Sequence, residues 1–202
     1  MKKHAYKIFV IVIFSVIFTI SCPGKPAPMA ETDVFQMDTY ENIDVMVEFM
    51  DETILEVKHG HQAINPFLTL QYKLSFRRII VFNCQIENNS ERPVHFELKT
   101  IELTYSGITD HAHNENFIMS YFDIYQDDDD VADWEHRKKE AAVKQYVMGQ
   151  EHTIQPGDII QGYLVFMDKF PQHGDAELVI PIFETNETLI TTFKFPYVFN
   201  IY

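Results

Sequence analysis

Glycine is scarce in this chain, at seven of 202 residues. None of the seven belongs to a Gly-x-Gly-x-x-Gly or Gly-x-x-x-x-Gly-Lys-Ser/Thr loop, so the backbone cradles that hold nucleotide phosphates are excluded. A Gly-x-Ser-x-Gly elbow and a His-Glu-x-x-His helix are missing too. With those signatures absent, the sequence points away from an enzyme and requires no cofactor. Positive charge is also short. Sixteen Lys and Arg face 30 Asp and Glu, a formal charge of −14. Such a chain is repelled by nucleic acid and by anionic lipid, which excludes nucleic acid as a partner of the folded domain. Cysteine is nearly absent, with two residues, and tryptophan stands at one. No apolar run reaches the 18 or so residues of a membrane-spanning helix.

What is present starts at the N-terminus. Met1 to Lys7 carries three lysines, and Ile8 to Ser21 is a 14-residue uncharged apolar run. A basic start and a short apolar core read as a secretory signal peptide, too short to span a hydrocarbon layer of ~30 Å comfortably. The run stops at Thr19-Ile20-Ser21-Cys22, which resembles a bacterial lipobox. That resemblance implies cleavage after residue 21 and acylation of Cys22, palmitate included. It also implies anchoring at the cell envelope through lipid, on the inner or outer membrane. Each buried CH₂ of such chains contributes ~0.8 kcal/mol. Removing residues 1–21 takes away three lysines and no acid, moving the charge from −14 to −17. With Cys22 lipidated, Cys84 has no intrachain partner and no disulfide forms, despite an oxidising address. Alternation along Ile80-Val81-Phe82-Asn83-Cys84-Gln85-Ile86 places Cys84 on the apolar face, as an inert buried thiol.

Residues 22–42 contain three prolines and few large aliphatics and read as a flexible tether. From Ile43 the pattern becomes period two: Ile43, Val45, Val47 and Phe49 alternate with Asp44, Met46, Glu48 and Met50. Further strands are expected at Phe67–Phe76, Arg78–Glu87, Val94–Tyr105, Phe117–Tyr125, Ile159–Met167, Ala176–Phe183 and Leu189–Tyr202. The apolar phase flips near Thr100, which predicts a bulge or a crossing between sheets. Only Val131–Val147 reads as helix, with Asp127 to Asp130 as favourable negative charge at its start. The expected fold is all-β: a sandwich over residues 43–202 with one inserted helix, inside an acidic insertion at about 110–150.

Two segments carry a family resemblance. Val81-Phe82-Asn83-Cys84-Gln85-Ile86-Glu87-Asn88-Asn89-Ser90 is similar to the strand and Asn turn of small immunoglobulin-like domains in exported bacterial proteins and lipoproteins. Ile154-Gln155-Pro156-Gly157-Asp158-Ile159-Ile160-Gln161-Gly162-Tyr163-Leu164-Val165-Phe166 resembles their Pro-Gly turn and following Gly-containing strand. In that strand Gly162 allows close backbone approach or a bulge. The resemblance implies an immunoglobulin-like fold and brings no catalytic residue, since members of that family mostly lack an assigned activity.

Two histidine pairs, His59/His61 and His111/His113, have the spacing that puts both imidazoles on one strand face. Each pair could supply two ligands to Zn²⁺ or Cu²⁺, although exposed loop histidines have the same spacing. Asp127, Asp128, Asp129 and Asp130 lack the alternation and Gly of a calcium loop. Together with Trp134 they mark the insertion as the expected protein-binding surface, because long excursions from compact sandwiches are usually functional or disordered. Arg77 and Arg78 read as flanking a strand. The aromatic end from Phe193 to Tyr202 must be covered by its own fold or by a partner. Oligomeric state is not legible.

Overall fold

The computed structural model describes residues 29–30, 33–69, 77–125, 133–171 and 173–200. The signal peptide, Cys22, Asp127 to Asp130 and most of the expected strand 67–76 lie outside the described residues. Two antiparallel sheets face each other across one core. The four-stranded sheet runs β2(Phe35–Tyr40), β3(Ile43–Phe49), β4(Arg78–Asn88), β9(Ile159–Asp168). The other is built on β10(Gly174–Glu184). On one side of β10 lie β11(Leu189–Asn200) and then β1(Met29–Ala30). On its other side lie β5(Val94–Glu97), which goes on to β8(Glu151–Ile154), and β6(Glu102–Tyr105), which goes on to β7(Ile108–His111).

The alternation read from the sequence is what fills the space between the sheets. Ile43, Val45 and Val47 of β3, Phe82, Cys84 and Ile86 of β4, and Leu164 and Phe166 of β9 are fully or nearly fully buried. From the opposite sheet come Phe96, Leu103, Leu178, Ile180 and Ile182, with Phe193, Phe195, Tyr197 and Phe199 of β11. The aromatic end is therefore covered by its own fold through Asn200. Cys84 is buried as expected, and burial pushes its thiol up to about 12. Arg78 is the first residue of β4, and its buried guanidinium donates to the Phe170 carbonyl.

Four expectations are corrected. The tether does not extend to Asn42. Ala30 pairs with Phe199 and β2 pairs along the whole of β3, through a two-residue turn at Glu41 and Asn42. Both turn residues have positive φ, 47° and 63°, the geometry whose twist suits a tight hairpin. Second, the phase flip near Thr100 is a 3-10 turn at Leu98–Thr100. The chain stays in one sheet there, since β5 and β6 both pair with β10.

Third, Phe117–Tyr125 is helix, not strand. In α2(Glu115–Tyr125), the Asn114 side chain accepts from the Phe117 N–H, and Ile118, Tyr121 and Phe122 are buried at i, i+3 and i+4. Fourth, the expected single helix, here α3(Asp133–Tyr146), is one of three among the described residues. α1(Glu52–His59) also escaped the period-two reading. Asp51 caps it by accepting from the Ile54 N–H at 2.8 Å, and Gly60 ends it at φ 83°, both recognised boundary signals.

The two segments carrying the family resemblance meet at Asn88. This residue is fully buried at the end of β4. Its side-chain N–H₂ donates to the Arg92 carbonyl at 2.8 Å and to the Ile154 carbonyl at 2.9 Å. Its Oδ1 accepts from the Ser90 N–H and hydroxyl. The backbone carbonyl accepts from the Gly157 N–H. Truncating such an amide leaves several buried groups unpaired at ~1–3 kcal/mol each. Asn88→Ala is expected to lower the unfolding free energy by about 3 kcal/mol, read from the urea midpoint at unchanged m-value.

Gly162 fulfils the close-approach expectation. A Cβ there would stand 2.8 Å from the Met148 Cα, because the Met148 N–H donates to the Tyr163 carbonyl across that gap. Gly162→Ala is expected to destabilise by ~1–3 kcal/mol through overpacking, and an unshifted melting temperature would refute the close fit.

Candidate interaction surface

The outer face of the four-stranded sheet is not left to solvent. Ile79 and Val81 of β4, with Tyr163, Val165 and Met167 of β9, pack under three helices. The helices contribute Leu55 from α1, Ile118, Tyr121 and Phe122 from α2, and Val143 from α3. Met50, Phe67 and Leu68 complete this second core. Among its described residues the insertion at 110–150 holds the end of β7 and the two packed helices α2 and α3.

At the junction of α1, α3 and β9 lies a knot of rings. Tyr146 stacks on Tyr163 with centroids 5.5 Å apart. His59 meets Tyr146 edge-on at 4.6 Å and Phe67 at 5.0 Å. The Tyr163 hydroxyl lies 3.1 Å from His59 Nε2 and accepts from Lys58 Nζ at 3.5 Å. Lys58 can only donate to the phenol oxygen, while the donor in the His59–Tyr163 contact depends on the imidazole tautomer. Burial first, and Lys58 second, hold His59 below its usual value and favour the neutral ring, while burial pushes the Tyr163 phenol up to about 12. A neutral imidazole bonded to an unionised, buried phenol makes a clamp rather than a nucleophile. Outside this knot, a cleft of ≈ 220 Å³ is lined by Lys58, Asn83, Gln145, Tyr146, Gln161 and Tyr163.

A second polar contact joins the hairpin to β9. The Asp110 carboxylate accepts from the Met167 N–H at 2.8 Å and lies 3.1 Å from His113 Nε2. That ring nitrogen is buried without an aligned hydrogen bond. The short approach is therefore a Coulombic contact, strong only when the imidazole is protonated. Burial works to raise the Asp110 carboxyl, and His113 with the Met167 N–H outweighs it, holding the group below its usual range. His113 also stacks on Phe117 at 3.9 Å.

The four histidines singled out from sequence are thereby distributed. His59 belongs to the ring knot, and His61 Nδ1 accepts from the Ala63 N–H. His111 is exposed on β7, 3.9 Å from Glu102, and His113 faces Asp110. Among the described residues no three His, Cys, Asp or Glu side chains gather as metal ligands. Trp134 is 47% exposed on α3, with the Lys138 ammonium 5.5 Å from its ring. Elsewhere α2 and α3 enclose a cleft of ≈ 240 Å³ lined by Glu115, Asn116, Met119, His136, Glu140 and Lys144. Sequence reasoning missed Lys58, Tyr146 and Tyr163. Only the cap signals of α1 could have led to the first, and nothing local announces the stacked tyrosines.

No protein-family model and no curated protein matches the chain. Among solved structures it is similar to a "putative lipoprotein (ycdA)" from Bacillus subtilis subsp. subtilis str. 168. The TM-score is 0.41 at 13% identity, covering 82% of this chain and 39% of that one. The chain therefore spans well under two thirds of that protein's length. A structural-genomics target designated SoR45 gives a TM-score of 0.37 at 13% identity, covering 78% and 88% of the two chains. A "Putative ApaA Protein" from Bordetella pertussis gives 0.33 at 8% identity, covering 83% and 93%. At these values the likenesses carry no assignment.

The ring knot has a pH consequence. Because His59 is held below its unfolded value of 6.5, the unfolded chain takes up the proton first. The stability contributed is complete above that pH and is lost as pH falls below it. Asp110 acts lower down, its contribution fading as pH drops through and below 3.8. The melting temperature is expected to fall between about pH 7.5 and about pH 5.5. His59→Gln, which keeps an acceptor for Tyr163, is expected to flatten that fall. Equal falls in both proteins would remove His59 as the cause.

Proposed function

We propose that this chain is an exported lipoprotein of the bacterial cell envelope, acylated at Cys22, whose immunoglobulin-like two-sheet domain binds another protein or serves as an envelope component without catalysing a reaction. The observation that carries this reading is the basic-then-apolar leader ending at Cys22. Among the described residues, paired structure starts with Met29. No helix among the described residues is long and apolar enough to cross a membrane, which leaves the lipid as the anchor in this reading. The immunoglobulin-like part is supported by the way Asn88 joins the two resemblance segments across the sheets.

Protein binding is assigned to the exposed side of α2 and α3, around Trp134 and Lys138. Deleting the insertion would be a poor test, because Ile118, Phe122 and Val143 are fully buried beneath it. Trp134→Ala leaves the second core intact. The non-catalytic part rests on the missing sequence signatures of the common catalytic loops and motifs. Metal binding by His59, His61, His111 and His113 is the competing reading, and sub-micromolar Zn²⁺ or Cu²⁺ binding to metal-stripped protein would favour it.

The anchor is tested by mass spectrometry of the mature protein. The expected result is an N-terminal Cys22 carrying acyl mass, with Cys22→Ala abolishing both that mass and membrane retention. An intact leader without lipid would overturn the reading.

A further inference from the structure

Nine large hydrophobic side chains are exposed among the described residues, and four of them crowd into one short stretch. Val34, Phe35, Met37 and Tyr40 are 41%, 54%, 53% and 42% exposed. All lie on or beside β2, the edge strand of the four-stranded sheet. Phe35 and Met37 stand in register with Glu48 and Met46 of β3, so they share one face of the sheet. The helices cover that face at β4 and β9.

A stretch of this kind on a free edge invites pairing with another chain, yet part of the edge is already used. The Thr39 N–H donates to the Asp38 carboxylate at 2.8 Å instead of waiting for a neighbour. Gln36 Nε2 is likewise committed, donating to the Pro196 carbonyl of β11 at 2.7 Å.

What identifies the occupant is where the chain enters the fold. Ala30 pairs with Phe199, and Gln36 reaches Pro196. Entry point and exposed strand are therefore three residues apart along β11, or ~10 Å at ~3.3 Å per residue. Cys22 precedes Met29 by seven residues, which reach ~25 Å at most when fully extended. An acyl anchor on Cys22 thus holds β2 at the bilayer surface at high effective concentration, where weak apolar contacts suffice. Phe, Met and Tyr side chains are suited to the boundary between headgroups and acyl chains.

Asp33, Asp38, Glu41 and Asp44 rim the patch and are exposed or half-buried. They repel anionic headgroups, so the surface that fits is a zwitterionic one. We infer that β2, through Phe35 and Met37 on its outer face, lies on the zwitterionic lipid surface that holds the anchor, turning the β1–β11 edge of the domain to the membrane; Val34 and Tyr40 lie on the other face of the strand, level with Phe49 and Ile43. This rests on the lipoprotein reading of Cys22. The helical side around Trp134 packs near β9, three strands from β2, and remains free for a partner.

The test uses the full exported protein, purified from membranes and reconstituted into phosphatidylcholine vesicles with brominated acyl chains. Trp134 is the sole native tryptophan, so Met37→Trp in a Trp134→Phe background reports on β2, and the native protein reports on α3. Phe35→Trp provides a second reporter should Met37→Trp disturb the strand. The expected result is a roughly twofold loss of emission at position 37 or 35 in vesicles, with little change at Trp134. Added phosphatidylglycerol should reduce that loss, and salt should restore it.

Protein that floats with the vesicles and carries acyl mass, yet shows no loss at position 35 or 37, overturns the inference and leaves the anchor standing. The same overturning follows from a cross-linked dimer through β2 with unquenched reporters. Protein that neither floats nor carries acyl mass overturns the lipoprotein reading and the inference with it.

Discussion

The carboxamide of Asn88 joins the two sheets by something other than apolar contact. Hydrophobic burial alone does not fix which strand faces which, since it is non-directional. A buried amide with both donors and its oxygen engaged does, because any slip of β4 against β8 leaves it unpaired in a dry place. From Asn88 the register spreads outward. It sets the turn through Ser90 and Arg92, and it places the Ile154 end of β8. Through the Gly157 N–H and the Asp158 carbonyl it aligns the turn that feeds β9. Once β9 is in place, Gly162 lets the Met148 backbone close on it, and α3 is delivered to the sheet's outer face.

That outer face explains an unusual feature of the sequence. An antiparallel sheet commonly buries one side and wets the other, and β3 follows the rule, alternating strictly between buried and half-exposed residues. β4 and β9 do not. Arg78 to Phe82 and Tyr163 to Met167 are buried continuously, because the sandwich core takes one side and the helical layer takes the other. The rings of His59, Tyr146 and Tyr163 close the seam where the two cores approach. The Tyr163 hydroxyl and His59 Nε2 meet at 3.1 Å, with Lys58 Nζ donating to the same hydroxyl, which gives the histidine a polar partner inside an aromatic junction.

The strands with one wet face were legible because period two is a direct imprint of the pleat, and β3, β4, β9, β10 and β11 begin and end close to where that pattern does. The helices α1 and α2 were not. Their aromatic and branched residues carry strand propensity, and tertiary packing against Val81 and Val165 overrides it. In α2 the spacing of Ile118, Tyr121 and Phe122 held the helical signal, masked by the neighbouring strands' composition. β2 was illegible for a different reason. Only one of its six residues is better than fully exposed, so no buried face writes a pattern into it. Of the residues expected to mark an interaction surface, the acidic run Asp127 to Asp130 lies outside the described residues, and Trp134 stands exposed on α3. Stacking of Tyr146 on Tyr163 and the Asp110–His113 contact join residues far apart or unremarkable in sequence.

Cys84 gives the fold an internal clock. Burial pushes its thiol up to about 12, so it is protonated at neutral pH. Oxidants and disulfide-exchange catalysts find no thiolate to attack while the sandwich is closed. Opening β4 exposes an ordinary cysteine. The rate at which a thiol reagent consumes Cys84 then counts excursions of β4 from the native state.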